Sequence, residues 1–311
     1  MLSVKSYSGV KSTSTNIFKA YIELIRLHNV VATLLMVFIG YAVSARFYGL
    51  NPIPPTSEYY IAAVVVALVA AGGYVINDYF DVDIDSINKP WRPLPSGRVS
   101  LKTAYYMSVI LFGTGIVVGF IFAGFISGIY ALSASILLYY YSKSLKRRGL
   151  VGNLVVSFNS GSSILYGGIV FAERNNLFLS ILPVFIPFLY AFLLVFGREI
   201  VKGIEDYWGD KAGGARTLAV IYGPKRAFVF AALVLFTVIV LSPLPYFIGV
   251  CNYIYLFLAL IVDAIIIVSI VFMLKRREVD RLVAASATAR TLLKWAFFFG
   301  GLAFALGALG V

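Results

Sequence analysis

Sulfur, imidazole and acid are all scarce in this chain. Its one cysteine, Cys251, excludes an intramolecular disulfide and any cysteine-based metal cluster, and it reads as a helix-end residue. Its one histidine, His28, leaves little acid–base machinery. Charged residues make up 13% of the 311, against roughly a quarter in ordinary soluble domains, and only 14 side chains are acidic. Hydrophobic residues, at 60%, take up the difference.

Apolar runs near the roughly 20 residues that cross a bilayer as helix recur at 28–46, 59–77, 103–122, 124–141, 153–171, 178–197, 227–249, 253–274 and 291–311. They are too long and too unalternating for barrel strands, so helices with internally bonded backbone are the expectation. The first run, with Ala-Val-Ser-Ala at 42–45, imitates a signal peptide. Its length and the eight runs that follow favour a retained helix. The expected fold is an all-α membrane protein of nine transmembrane helices, one domain over residues 1–311.

The net charge of +12 points to topology and not to nucleic acid, because 24 of the 26 Lys and Arg fall on one side of the nine runs. Only Arg46 and Arg174 lie on the other. This bias sets a basic arm (1–27) and segments 78–102 and 198–226 in the cytoplasm, and the C-terminus outside. Most of these cations, including Arg147, Arg148 and Arg277, read as topology determinants near anionic lipid.

Eight of the 14 acids fall in two clusters, Asp78, Asp81, Asp83 and Asp85, then Glu199, Glu205, Asp206 and Asp210. Each follows an even-numbered run. Asn77, Asp81 and Asp85 are spaced i, i+4, i+8, as are Lys202, Asp206 and Asp210, so continued helix would put each set on one face. Their recurrence four helices apart suggests two four-helix units plus a ninth helix, with cytoplasmic cap loops over a central cavity. Stacked carboxylates at a helix C-terminus repel one another and meet the negative end of the macrodipole, so they need a cation, either nearby Lys and Arg in structural salt bridges, the lesser alternative, or a bound metal ion. Oxygen donors without His or Cys suit a hard ion, and Mg²⁺ is commonly held by a few carboxylates plus substrate phosphates.

Basic residues nearby suit a diphosphate: Arg92, Lys143, Lys146, Arg198 and Lys202 are the chosen candidates, with Lys89, Arg98 and Arg216 close in sequence. Pro90, Pro93 and Pro95 predict a stiff, non-helical cap. Of 21 Tyr and 25 Phe, most belong to interfacial belts. Tyr139 and neighbours at helix ends are candidates to face an allylic carbocation. His28 beside Arg26 and Asn29 reads as interfacial, with acceptor binding as the lesser alternative. Asp263, alone within the eighth helix, is costly there and is given no catalytic role.

NDYFDVDID, with its NDxxDxxxD pattern, and EDYWGD followed by AGGARTLAV, with DxxxD, resemble the UbiA-type intramembrane prenyltransferases over nearly the whole chain. The wording of IELIRLHN, INKPWRPLPSGRVS and REIVKGIEDYWGD is similar to the archaeal branch that makes digeranylgeranylglyceryl phosphate. The resemblance implies that Asn77, Asp81, Asp206 and Asp210, with Asp78 and Asp85, hold Mg²⁺ on an isoprenyl diphosphate. It further implies transfer of the geranylgeranyl group to the hydroxyl of geranylgeranylglyceryl phosphate, with no obligate protein partner. Gly203 departs from the pattern, where an acid is expected. An aromatic prenyltransferase acting on 4-hydroxybenzoate or a quinone precursor would share the site. A transporter of anionic lipid is the reading from another class, and acid confined to one side of the membrane argues against it.

Overall fold

The computed structural model describes residues 14–276 and 278–309, so Lys5, Lys11 and Arg277 lie outside the described residues, as does the side chain of Arg147. Those residues fold entirely into helix and connecting turns. Nine segments are long and apolar enough to cross a membrane. They are built from α1 (Ser14–Ile25) with α2 (Leu27–Phe47), α3 (Ser57–Phe80), α5 (Leu101–Val118), α6 (Phe125–Lys143), α7 (Leu150–Asn175), α8 (Ile181–Glu205), α11 (Pro224–Leu241) with α12 (Leu244–Phe247), α13 (Tyr253–Leu274) and α14 (Val279–Gly307). Short helices α4 (Val82–Asn88), α9 (Tyr207–Ala212) and α10 (Leu218–Tyr222) sit between them.

The sequence signals explain where these helices start and stop. Ser100, Thr217 and Asn252 cap the starts of α5, α10 and α13 with side-chain oxygens that accept from the first free backbone N–H groups. After α5 the chain makes a single π turn, Gly119–Ala123, and Gly124 then takes φ 133, a backbone conformation that favours glycine. The Glu173 carboxylate lies where a Cβ on Gly124 would go, and it accepts from the N–H groups of Ile126 and Ser127 at 2.9 and 2.8 Å.

Two expectations need correction. The ninth helix begins at Val279, twelve residues before the apolar run that announced it. Its first turns are amphipathic, with Leu282, Ala285, Ser286 and Ala289 buried on one face, so the helical period is present where mean hydropathy is low. Segments 1–27, 78–102 and 198–226 are also more helical than arms and loops: they contain α1, α4, α9 and α10, and α8 runs on to Glu205.

One core joins α2, α3, α5, α6 and α7 through Val37, Val65, Ile76, Phe112, Ala131 and Tyr166. Another joins α8, α11, α13 and α14 through Ile200, Ile204, Leu235, Ile266 and Leu293. Helices α2 and α7 pack so closely between them that a Cβ at Gly40 or Gly167 would overlap the backbone carbonyl of Ile164 or Val37, which is the small-residue packing that membrane helices favour.

Candidate active site

Helix α3 ends at Phe80, and Asp81 leaves the helical region (φ −97°, ψ 1°) before α4 resumes at Val82. The acids around this one-residue break sort into two networks. On one side Lys146 Nζ approaches Asp81 Oδ1 at 2.5 Å and Asn77 Oδ1 at 3.4 Å, while Asn77 Nδ2 donates to Asp81 Oδ2 at 3.0 Å. On the other, Asp78 accepts from Arg26 at 2.5 Å and Arg92 at 3.3 Å, and Arg92 also donates to Asp85 at 2.6 Å. The expected single face of Asn77, Asp81 and Asp85 is therefore not formed. Asp85 turns to Arg92, which it shares with Asp78, and to Lys89 at 4.0 Å, because the break re-aims α4.

Arg92 reaches these acids because the Pro-rich segment folds back. Leu94 and Val99 are buried against Ala20 and Leu24 of α1, and Arg98 pairs with Glu23 at 2.7 Å. Arg26, which the sequence marks only as an arm charge, sits between α1 and α2 at φ 52°, ψ 55°. A non-glycine residue held there is uncommon and concentrates at functional positions. Its guanidinium lies 5.3 Å from the Tyr74 ring centroid as well as on Asp78.

The second cluster repeats the break. Helix α8 ends at Glu205, Asp206 takes φ −81°, ψ 2°, and α9 follows. Here no Lys or Arg among the described residues comes within ion-pair distance of Asp206 or Asp210. Lys202 approaches Glu199 at 4.0 Å, and Arg198 donates to Glu199 at 2.9 Å. Burial raises the Asp210 carboxyl above its ordinary range and the Asp206 charge adds to this, while Thr217 and Lys202 pull the other way. Among the described residues no three His, Cys, Asp or Glu side chains converge closely enough to hold a metal alone. The residues present nonetheless fit a hard cation: they are oxygen donors in pairs, and Asp206 and Asp210 have no direct ion-pair partner among the described residues, so a cation completed by phosphate oxygens suits them.

A cavity of about 470 Å³ opens between α2, α3, α6 and α7. Arg26, Asn29, Tyr74, Asn77 and Tyr141 line it, while Val65, Val69, Tyr130, Tyr166 and Phe297 supply much of its apolar wall. Asn159, Ser160, Ser162 and Ser163 add a polar strip from α7 that composition concealed, because serine and asparagine on a membrane helix give no charge signal.

Several candidates sit away from this cavity. Tyr139 packs on the Phe80 ring with Lys143 at 5.9 Å from its centroid, so neither side chain joins Asp81; Tyr141, two residues on, lines the cavity instead. His28 is exposed. Asp263 accepts from Ser242 at 2.5 Å, deep between α11 and α13. At Gly203 an added Cβ would meet only Thr217, at 3.9 Å, so the missing acid leaves open space.

The model of the UbiA prenyltransferase family matches residues 33–298. The digeranylgeranylglyceryl phosphate synthase of Hyperthermus butylicus is 44% identical over 296 residues, covering 94% of this chain and 97% of that one. The synthase of the same name from Methanothermobacter thermautotrophicus is 37% identical over 288 residues, covering 93% and 95%. A solved structure described as a digeranylgeranylglyceryl phosphate synthase is 34% identical, superposes with a TM-score of 0.78 and covers 95% of this chain and 99% of its own. A UbiA homologue from Archaeoglobus fulgidus bound to DMAPP and Mg²⁺ shares the fold at 16% identity and a TM-score of 0.61, covering 90% and 99%. With the family pattern spanning most of its length and nine helices long and apolar enough to cross a membrane among the described residues, this chain is a multi-pass membrane enzyme that belongs to the UbiA prenyltransferase family.

Proposed function

We propose that the protein transfers a geranylgeranyl group from geranylgeranyl diphosphate to the free hydroxyl of geranylgeranylglyceryl phosphate, which forms the second ether bond of an archaeal membrane-lipid precursor. The observation that carries this reading is the continuity of Asn77 and Arg26 with an apolar cavity, in a chain 44% identical to a protein named for that product.

Asn77 with Asp81, and Asp206 with Asp210, would hold Mg²⁺, which when bound neutralises diphosphate charge and favours its departure. The chain's own groups do the rest. Lys146, beside Asp81, donates to diphosphate oxygens and fixes them. Asp78 holds Arg26 in place at the cavity lining, and Asp78 and Asp85 together hold Arg92 behind it. Tyr141, in the cavity lining, is the ring offered to the allylic cation, while Tyr74 carries the Arg26 guanidinium on its ring, and the apolar wall excludes water that would otherwise capture the cation. As the bond from C1 to diphosphate oxygen breaks, the acceptor oxygen bonds to C1 and the hydroxyl proton leaves with the diphosphate. Arg26 and Asn29, on the α2 side of the mouth, are the groups offered to the acceptor's phosphate.

The site faces the cytoplasm in this reading, with the N-terminus inside and the C-terminus outside, following the distribution of Lys and Arg. The acceptor-choice assay tests the proposal. Purified protein given geranylgeranyl diphosphate and Mg²⁺ should prenylate geranylgeranylglyceryl phosphate and leave 4-hydroxybenzoate unchanged. The reverse preference would move it to the aromatic branch.

A further inference from the structure

The two aspartate breaks are held at different places. Around Asp81 the flanking acids Asp78 and Asp85, three residues before and four after, are pinned by Arg26 and Arg92. Around Asp206 the residue three before is Gly203, which has no side chain to pin. The break is instead gripped by the amphipathic start of α14. Arg290 pairs with Glu205: its terminal nitrogen donates to Oε1 at 3.2 Å, and Nε lies 2.6 Å from Oε2 as an ionic contact without hydrogen-bond alignment. Trp208 donates its indole N–H to Asp280 at 3.1 Å. Glu205 immediately precedes Asp206 and Trp208 follows it by two. The two grips are ten residues apart on α14, about 15 Å of rigid helix.

We propose that Arg290 and Glu205 are positioning residues that set the aim of Asp206 and Asp210 toward the bound metal, and this rests on the Mg²⁺ reading above. Three features favour positioning over a charge that serves only topology. A topology determinant needs no partner, whereas this arginine is committed to one acid by a charge-assisted hydrogen bond and a second close ionic contact. Each partner is part-buried, with side chains 36% and 23% exposed, so the pair is less open to screening than a surface one. Glu205 is also the one acid of its cluster that faces α14 and not the site, so its conservative removal leaves the donor oxygens untouched. Groups that orient a metal's ligands typically affect metal affinity or activity by about 10–100-fold when removed.

Electrostatics and positioning predict opposite results for one variant. If only the local field mattered, Arg290→Ala would expose the negative Glu205 beside Asp206 and tighten Mg²⁺ binding, while Glu205→Ala would weaken it. If the pair positions the break, both variants raise the half-saturating Mg²⁺ concentration, by about tenfold or more, and the exchange Arg290→Glu with Glu205→Arg recovers most of it. Two readouts apply: the Mg²⁺ dependence of turnover, and the Mg²⁺ dependence of the rise in melting temperature with inorganic diphosphate present. The melting temperature without Mg²⁺ reports the fold, and Arg290→Lys with Glu205→Gln replace any alanine variant that does not accumulate. Unchanged midpoints, midpoints moved in opposite directions, or a lowered metal-free melting temperature without a midpoint shift would each overturn the proposal, as would failure of the exchange to recover. Asp206→Ala is the control: if it too leaves the Mg²⁺ midpoint unmoved, the metal reading itself fails; if it abolishes the response while the Arg290 and Glu205 variants leave the midpoint unmoved, only the positioning role fails.

Discussion

Asp78 and Asp81 are three residues apart in one motif, yet their surroundings assign them different work, and replacing each with alanine separates the two. The Asp78 side chain is 6% exposed and bridges Arg26 and Arg92. Removing one member of a buried ion pair costs about 3–5 kcal/mol. Both arginines are 24% exposed and Arg92 keeps Asp85, so roughly 2–3 kcal/mol is the discounted expectation. At about 2–4 °C per kcal/mol for a domain of 150–250 residues, Asp78→Ala should melt roughly 4–12 °C lower while the Mg²⁺ concentration for half-maximal turnover stays near wild type. Asp81→Ala leaves Lys146, 14% exposed, with its contact to Asn77, so its cost to stability is about 1–2 kcal/mol, less than for Asp78, which is more buried and pairs with two arginines. Turnover, however, should vanish. Thermal melts in detergent and Mg²⁺ titrations of prenyl transfer measure both quantities on the same samples. A stable Asp78→Ala protein with the metal dependence of Asp81→Ala would make Asp78 a ligand and refute the division into two networks.

Asp206→Ala should match Asp81→Ala in losing turnover with the fold intact, as checked by melting temperature and product formation. The raised Asp210 carboxyl carries a pH signature. Because the fold disfavours its charged form, the metal-free protein gains stability as pH falls through the raised value and loses it above. Mg²⁺ needs the carboxylate, so apparent Mg²⁺ affinity should weaken over the same fall in pH, a step that Asp210→Asn removes; melting temperature against pH, with and without Mg²⁺, measures it. A tag at residue 1 should be open to protease only from the cytoplasmic side of sealed vesicles, and cleavage from outside would invert the orientation.

The sequence disclosed the parts of this molecule whose signal is local. Apolar length announced the crossing helices, and the spacing of Asn77, Asp81, Asp206 and Asp210 marked the candidate site. It misdirected where a single residue changes direction. Nothing in DVDID distinguishes a helix that continues through Asp81 from one that pauses there. That pause decides whether Asp85 joins Asn77 or Arg92. The start of α14 was hidden because a search for lipid-length apolar runs discards helix that is buried on one face only; the spacing of Leu282, Ala285 and Ala289 would have found it. Arg26 could not be singled out among 24 cations sharing one side, because its left-handed backbone and its contact with Asp78 are long-range properties.

The pauses at Asp81 and Asp206 have a physical rationale that joins these observations. A carboxylate at the end of an unbroken helix faces the partial negative charge of the last carbonyls. With the helix stopped at each aspartate and restarted beyond it, that aspartate becomes the N-terminal flank of a new helix: Asp81 N-caps α4 and Asp206 N-caps α9 in backbone position. Each carboxylate then lies where the end of one dipole meets the start of the next, and the net repulsion is reduced. Neither aspartate side chain bonds to the N–H groups of the helix it precedes, so each is held by groups from outside that helix or by none: Asp81 by Lys146 and Asn77, Asp206 by no Lys or Arg among the described residues. Filling either break with continuous helix would therefore restore the dipole repulsion and turn Asp85 or Asp210 to a new face. This explains why arginines grip the residues beside the breaks and leave Asp206 itself ungripped.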